Sequence, residues 1–184
     1  MSNLKSLIIG PTDKTKVLRY GSILPENYGL YTKEIGRVLA KNISQLSIIP
    51  DEGIPLDLAK AYKRFGGKKV VGNIPKEGYK NIEQYFQFCD EIEELNGGWT
   101  TLNTCLSLKN DLIIGAWLSP GTIVEIAYTK YHNKYLGKKI PILFDKRTIS
   151  RELPKELEEE VFLTYFKSAD QLDELLKNFI VKGI

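Results

Sequence analysis

The chain has 184 residues, 42% of them apolar and 27% charged, which is enough to bury roughly two-thirds of its unfolded surface and too apolar for a disordered chain. Its 26 basic and 23 acidic side chains are mostly interspersed, and a net charge of +3 does not require a nucleic-acid partner. The apolar run "SLIIG" is far shorter than a secretory core of roughly 7 to 15 residues, and nothing approaches a membrane span of about 20 residues, so a cytoplasmic protein without membrane attachment is expected.

In chain order, short apolar runs bounded by turn residues predict strands at 6–10 ("SLIIG"), 46–50 ("LSIIP"), 69–75 ("KVVGNIP"), 111–118 ("DLIIGAWL"), 140–144 ("IPILF") and 161–166 ("VFLTYF"). Their hydrophobicity is continuous rather than alternating, as in strands covered on both faces of a parallel sheet. Helical patterns fall between them at 31–42, 55–67, 122–137 and 168–180, with a further partly buried helix over 96–109. Pro55 near a helix start, Gly66 and Gly67 at its end, and Ser168 as an N-cap mark the boundaries. The segment 146–160 is polar and reads as a surface excursion with a short helical turn. Alternation of strand and helix predicts an α/β, Rossmann-like three-layer fold, with a mainly parallel sheet of about six or seven strands flanked by helices. No linker-like stretch divides the chain, so one domain over 1–184 is expected.

Cys89 and Cys105 lack CxxC spacing and His132, the only histidine, has no companions at metal-ligand spacing, so unpaired thiols and no metal site are expected. In parallel α/β sheets ligands bind beyond the carboxyl ends of the strands, near the N-termini of the following helices. After the first strand, the connection 11–30 greatly exceeds the usual 2 to 6 residues or so. Gly10 opens it; Lys14, Lys16 and Arg19 are candidates to neutralise a phosphate, and Tyr20 or Tyr28 to stack on a base, against the alternative of a solvated loop. In "PDEGIP", Asp51 and Glu52 suit an ordinary turn and helix start better than a phosphate cradle. In "AWLSPGTIVEIAYTKY", Ser119 is positioned as N-cap, Pro120 at the first helical position, Gly121 where a ligand approaches the backbone, Thr122 with a hydroxyl, and Glu125 one turn farther on. Spacing alone leaves a capped helix and a ligand site both open.

Three segments, "YTKEIGRVLAKN", "LSIIPDEGIPLDLAKAYKRFGGKKVVGNIP" and "KNDLIIGAWLSPGTIVEIAYTKY", carry a resemblance that spans nearly the whole chain. It resembles the Rossmann-like superfamily of the lysine-decarboxylase-like "lonely guy" phosphoribohydrolases and the molybdenum cofactor carrier proteins, as a divergent member. Gly121, Thr122 and Glu125 match the second half of the family's PGGxGTxxE motif, while Trp117, Leu118 and Ser119 replace its PGG. Near the family's GGGxxGxM loop stand Ile49, Pro50 and Asp51, with Gly53 matching the later glycine. The arginine that partners the motif glutamate in the phosphoribohydrolases has no counterpart in "GGWTTLNTCLSLKND"; Lys109 is a candidate substitute, and Asn103 matches an ARN-type segment of the carrier branch.

The resemblance implies a carrier or sensor for a nucleotide-like or phosphorylated small ligand, with a crevice formed by 10–20, 50–54, 96–104 and 117–125. No particular cofactor follows from it. One alternative is cleavage of a nucleoside 5'-monophosphate at its glycosidic bond, with Glu125 as catalytic carboxylate; another is a non-enzymatic module acting on DNA. The resemblance also implies a homodimer, for which Tyr128, Tyr131 and Tyr135 offer an apolar face, whereas Tyr85, Phe86 and Phe88 read at least as well as core.

Overall fold

The computed structural model describes residues 3–20, 23–79 and 81–182. Among these, seven strands form one sheet: β1 (Lys5–Ile9), β2 (Gln45–Ile48), β3 (Lys69–Pro75), β4 (Glu91–Leu95), β5 (Leu112–Gly115), β6 (Ile142–Asp145) and β7 (Leu163–Phe166). They lie in the order β4-β3-β2-β1-β5-β6-β7 and every neighbouring pair is parallel. The inner strands are buried throughout, which is why their sequences are apolar without alternation. This is the α/β three-layer architecture the sequence predicts.

The helices are α1 (Lys14–Tyr20), α2 (Tyr28–Asn42), α3 (Ile54–Arg64), α4 (Trp99–Cys105), α5 (Pro120–Tyr135), α6 (Lys155–Glu158) and α7 (Ala169–Lys182). One face of the sheet carries α2, α3 and α7, where Ile35, Leu39, Leu58, Tyr62, Leu172 and Leu176 pack on Ile8, Leu46 and Ile114. The other carries α4 and α5, with Leu102, Leu106 and Ile126 against Leu7, Ile113 and Phe144. Burying a side chain such as Leu39 completely contributes about 1.5–3 kcal/mol.

Two elements depart from the sequence reading. The edge strand β4, "EIEEL", carries acids that hide it from a hydrophobicity search. Those acids also guard the edge, with Glu91 2.6 Å from Lys69 and Glu93 2.6 Å from Lys109. The connection 11–30 is not a long open loop: α1 occupies 14–20, started by Asp13 Oδ1, which accepts from the Thr15 N–H at 3.0 Å. Boundaries also move, since α2 begins at Tyr28, β5 stops at Gly115, and the helix foreseen over 96–109 ends at Cys105 and continues as a 3-10 turn over Leu106–Lys109.

No helix among the described residues is long and apolar enough to cross a membrane, and no group of three metal-ligating side chains forms among them. Cys89 and Cys105 are unpaired and half-buried, and burial pushes the Cys89 thiol up to about 11, away from the reactive thiolate.

Candidate functional site

β1 and β5 are neighbours, yet the chain leaves them toward opposite faces, to α1 and α2 on one side and to α5 on the other. Such a switch point opens a crevice beyond the strand ends. Three backbone segments meet at its base. The Ala116 N–H donates to the Ile9 carbonyl at 3.1 Å and the Ile54 N–H to the Pro11 carbonyl at 3.1 Å. Glycine is required at both crossings: a Cβ on Gly10 would lie 2.5 Å from the Ala116 oxygen, and one on Gly53 would lie 2.3 Å from the Pro11 oxygen. Gly53 also has φ +101°, a backbone that side chains resist.

The crevice encloses about 320 Å³. Ile8, Ile9, Ile49, Pro55 and Trp99 supply apolar walls, and the polar groups are Thr12, Asp13, Lys16, Asn103, Ser119, Thr122 and Glu125. The sequence reading brings Gly10, Lys16, Asn103, Ser119, Gly121, Thr122 and Glu125 to this crevice, and all seven line it.

Ser119 caps α5 by accepting the Thr122 N–H at 3.2 Å, and its hydroxyl is 2.8 Å from the Thr122 hydroxyl. Gly121 is unlike the other two glycines. A Cβ there would meet only Ser119 Oγ at 3.8 Å and Asn103 Nδ2 at 3.9 Å, so the fold leaves the space above it to something else.

Glu125 is 6% exposed, and its carboxyl makes no hydrogen bond or ion pair with any described residue. Burial without a compensating charge pushes it up to about 8, so it is mainly protonated at neutral pH. Among the described residues Lys16 is the one basic side chain on the wall. It is half-exposed, with Nζ 3.7 Å from Asp13 Oδ2. The Thr15 hydroxyl, with other donors at this turn, holds the Asp13 carboxyl below its ordinary value.

Three other expected site residues lie elsewhere. Lys14 turns to the outer side of α3, with Nζ 3.6 Å from Asp57 and 5.7 Å from the Tyr28 ring centre. Arg19 is exposed in the last turn of α1, away from the crevice wall. Gly53 serves the backbone crossing beneath the crevice. Tyr28 is buried and donates its hydroxyl to Asp57 at 2.8 Å, so it is not a stacking platform; the Tyr20 side chain lies outside the described residues. Asp51 forms an ordinary turn, its Oδ1 accepting the Glu52 N–H at 2.7 Å, and Lys109 is taken by Glu93 rather than facing Glu125.

Trp117 is not on the crevice either. Its φ of 56° swings the ring to the opposite face of the sheet, where it is buried 5.0 Å from Tyr31, edge to face, and 6.0 Å from Tyr28. Its backbone N–H donates to the Thr148 hydroxyl at 2.8 Å. This left-handed turn ends β5 early and aims the chain at the α5 cap. Sequence reasoning brought 96–104 to the crevice without singling out Trp99, and left Ile49 and Pro55 outside it, because apolar residues at a pocket look like core.

No family model and no curated protein matches the sequence. Solved structures do match in fold. The molybdenum cofactor carrier protein of Chlamydomonas reinhardtii superposes with a TM-score of 0.70 at 17% identity, covering 97% of this chain and 99% of that one. The molybdenum cofactor binding protein of the phototrophic bacterium Rippkaea orientalis gives 0.67 at 17% identity, covering 98% and 99%. DNA processing protein A of Helicobacter pylori, described with a single-stranded DNA binding mode, gives 0.63 at 14% identity, covering 97% and 82%. The chain therefore shares its three-layer architecture with a cofactor carrier, a cofactor-binding protein and a DNA-binding protein.

Proposed function

We propose that this chain binds a nucleotide-like or otherwise phosphorylated small ligand in the crevice between β1 and β5 and acts as a carrier or sensor for it. The observation that carries the reading is Glu125, a buried polar group without a partner, on the wall of an open cavity at the switch point. The carboxyl opens onto the crevice, where a ligand can supply the hydrogen bonds that the protein does not. The shared fold of two molybdenum cofactor proteins supports a carrier role. A cavity of about 320 Å³ with a single, half-exposed cation favours a small molecule over a nucleic-acid strand. Calorimetry against nucleoside monophosphates, NAD and phosphorylated pterins tests the reading: saturable binding weakened by Glu125→Ala is expected, and flat heats for all of them reject it.

One observation favours glycosidic cleavage as a second reading. A carboxyl that keeps its proton near neutral pH is what a departing base requires of a general acid. The one described cation on the wall, Lys16, is half-exposed and paired with Asp13 rather than with Glu125, so no described residue stabilises the carboxylate left once the proton is given up, which weighs toward binding without turnover. Release of free adenine from AMP, lost in Glu125→Gln, would establish the hydrolase; intact AMP after long incubation would exclude that substrate.

The outer face of α5 supports the homodimer. Tyr128, Tyr131 and Tyr135 are 40%, 48% and 67% exposed and follow one another along the helix, beside Ile123 and Val124. Light scattering over a concentration series is expected to give twice the chain mass, and Tyr131→Lys with Tyr135→Lys to return it to one.

A further inference from the structure

We infer that Glu125 and Asn103 read the heterocycle of the ligand, by an edge that carries a ring nitrogen beside an exocyclic oxygen or amine, and that the phosphate points outward to Lys16. This rests on the proposed ligand-binding function and fixes the direction in which the ligand lies.

The start of α5 is already occupied. Pro120 has no N–H, the Thr122 N–H goes to Ser119 Oγ at 3.2 Å, and the Ile123 N–H goes to the Ser119 carbonyl at 3.0 Å. Within the helix itself only Gly121 keeps an N–H that no described residue accepts, with the Ser119 N–H open just ahead of it. Phosphate cradles use several converging N–H groups, and the one that α5 still offers is too few to hold a dianion. The serine that replaces a motif glycine thus fills, with its own oxygen, the position an anion would take.

Deeper in the crevice the unsatisfied groups are of another kind. The carboxyl of Glu125 and the side-chain amide of Asn103 both line the cavity, and neither has a partner among the described residues. An uncharged carboxylic acid offers a donor and an acceptor side by side. It pairs by two parallel hydrogen bonds with a lactam edge (H–N–C=O) or an aminopyrimidine edge (N=C–NH2). A phosphate gains little from a wall whose acid ionises into a like charge. The Asn103 amide adds donors and an acceptor from α4, with Nδ2 3.9 Å from the position of a Cβ on Gly121. The same cavity has apolar walls in Ile8, Ile9, Ile49 and Trp99, which suit a flat, weakly hydrated ring. At the mouth Lys16 is 56% exposed and able to reach a charged group that stays in water.

This arrangement makes binding pH-dependent. The titratable groups around Glu125 are Asp13 and Lys16 across the crevice, Cys105 on α4, and His132 two turns along α5, whose Nδ1 is 2.7 Å from the Ser107 hydroxyl. Burial lowers the His132 value, so it brings no positive charge at neutral pH. Once Glu125 ionises it only accepts, and an edge that offers one donor and one acceptor is no longer matched.

Calorimetry with adenosine, AMP and ribose 5-phosphate, at pH 6.5 and pH 9, tests the orientation in wild type, Glu125→Gln and Lys16→Ala; the adenine edge offers one acceptor and one donor and does not itself titrate in this range. Adenosine is expected to bind without its phosphate, roughly tenfold or more tighter than ribose 5-phosphate, and to weaken about tenfold at pH 9. In Glu125→Gln, which keeps a donor beside an acceptor, binding at pH 6.5 is expected to persist and the pH dependence to vanish. Lys16→Ala is expected to weaken AMP and leave adenosine unchanged. Ribose 5-phosphate bound as tightly as AMP, with adenosine not bound, overturns the orientation and leaves the ligand-binding reading standing. No binding of any of the three overturns the orientation, and flat heats extending to the other nucleotides, NAD and pterins remove the reading as well.

Discussion

α2 and α5 are of nearly equal length and pack on opposite faces of the same sheet, yet they are built in opposite senses. α2 turns Tyr31, Ile35 and Leu39 inward and shows Lys33, Glu34, Arg37 and Lys41 to solvent, the usual order for a surface helix. α5 turns Thr122, Glu125, Thr129 and His132 inward, with Ile126 as its one large buried apolar side chain, and carries Ile123, Val124, Tyr128, Tyr131 and Tyr135 outside. Hydrophobic burial therefore secures α2. α5 is held by its serine cap, by the Ser107–His132 hydrogen bond at 2.7 Å and by the contact of α4 with its inner face. A helix whose polar groups face in and whose aromatics face out fits the proposal of a ligand on one side and a partner chain on the other.

The contrast can be broken most forcefully at α2. Leu39→Ala removes a fully buried side chain and is expected to cost about 2–5 kcal/mol in chemical unfolding, against a shared baseline for ligand affinity per folded molecule. At α5, Glu125→Gln is expected to act in the other direction. Glu125 holds its proton up to about pH 8 in the folded chain but only to its ordinary value, near 4.5, when unfolded. Between those limits the native state binds the extra proton, so wild-type stability falls as pH rises through this window and levels off above it. Glutamine has no such slope, so denaturation at pH 5 and pH 8 should show the variant gaining on wild type by on the order of a few kcal/mol at the higher pH.

Ser119→Ala removes the cap and is expected to cost about 1 kcal/mol, read as a fall in melting temperature of a few degrees. It also releases the Thr122 N–H and hydroxyl, so inorganic phosphate should protect this variant from unfolding more than it protects wild type. Gly121→Ala is the smallest perturbation of the fold, within about 0.5 kcal/mol, because no atom lies within 3.8 Å of the new methyl. Ligand affinity, by contrast, should fall severalfold, since the methyl enters the crevice. Equal losses of stability and affinity there would remove the distinction between the two helices.

How much of this was legible in the sequence depends on which force fixed each residue. The inner strands and α2 were visible because two-sided burial and one-sided burial leave different periods in the hydrophobicity. β4 was not, because edge protection put glutamates where a search expects valines. Gly121, Thr122 and Glu125 were found by their motif, but Gly53 was grouped with them when its role is a backbone crossing. A glycine that makes room for a carbonyl and one that leaves a crevice open are the same letter. Lys14 and Lys16 are two residues apart on one short helix, and only the rotation of α1, set by burial of Val17, sends one to Asp57 and the other to the crevice mouth.

The two tryptophans divide along the same line as the two glycines. Trp99 forms part of the crevice wall and ties its indole N–H to the Gly78 carbonyl at 2.8 Å, whereas Trp117 is sealed in the opposite layer with an indole N–H that meets no acceptor. Their emission is expected to separate accordingly: Trp117, beside Tyr28 and Tyr31, to the blue, and the partly exposed Trp99 to the red and nearer to quenchers in the solvent. A ligand entering the crevice is expected to change the Trp99 component alone, whereas unfolding changes both. The intrinsic fluorescence of the chain thus offers a way to tell occupancy from unfolding, with no label added.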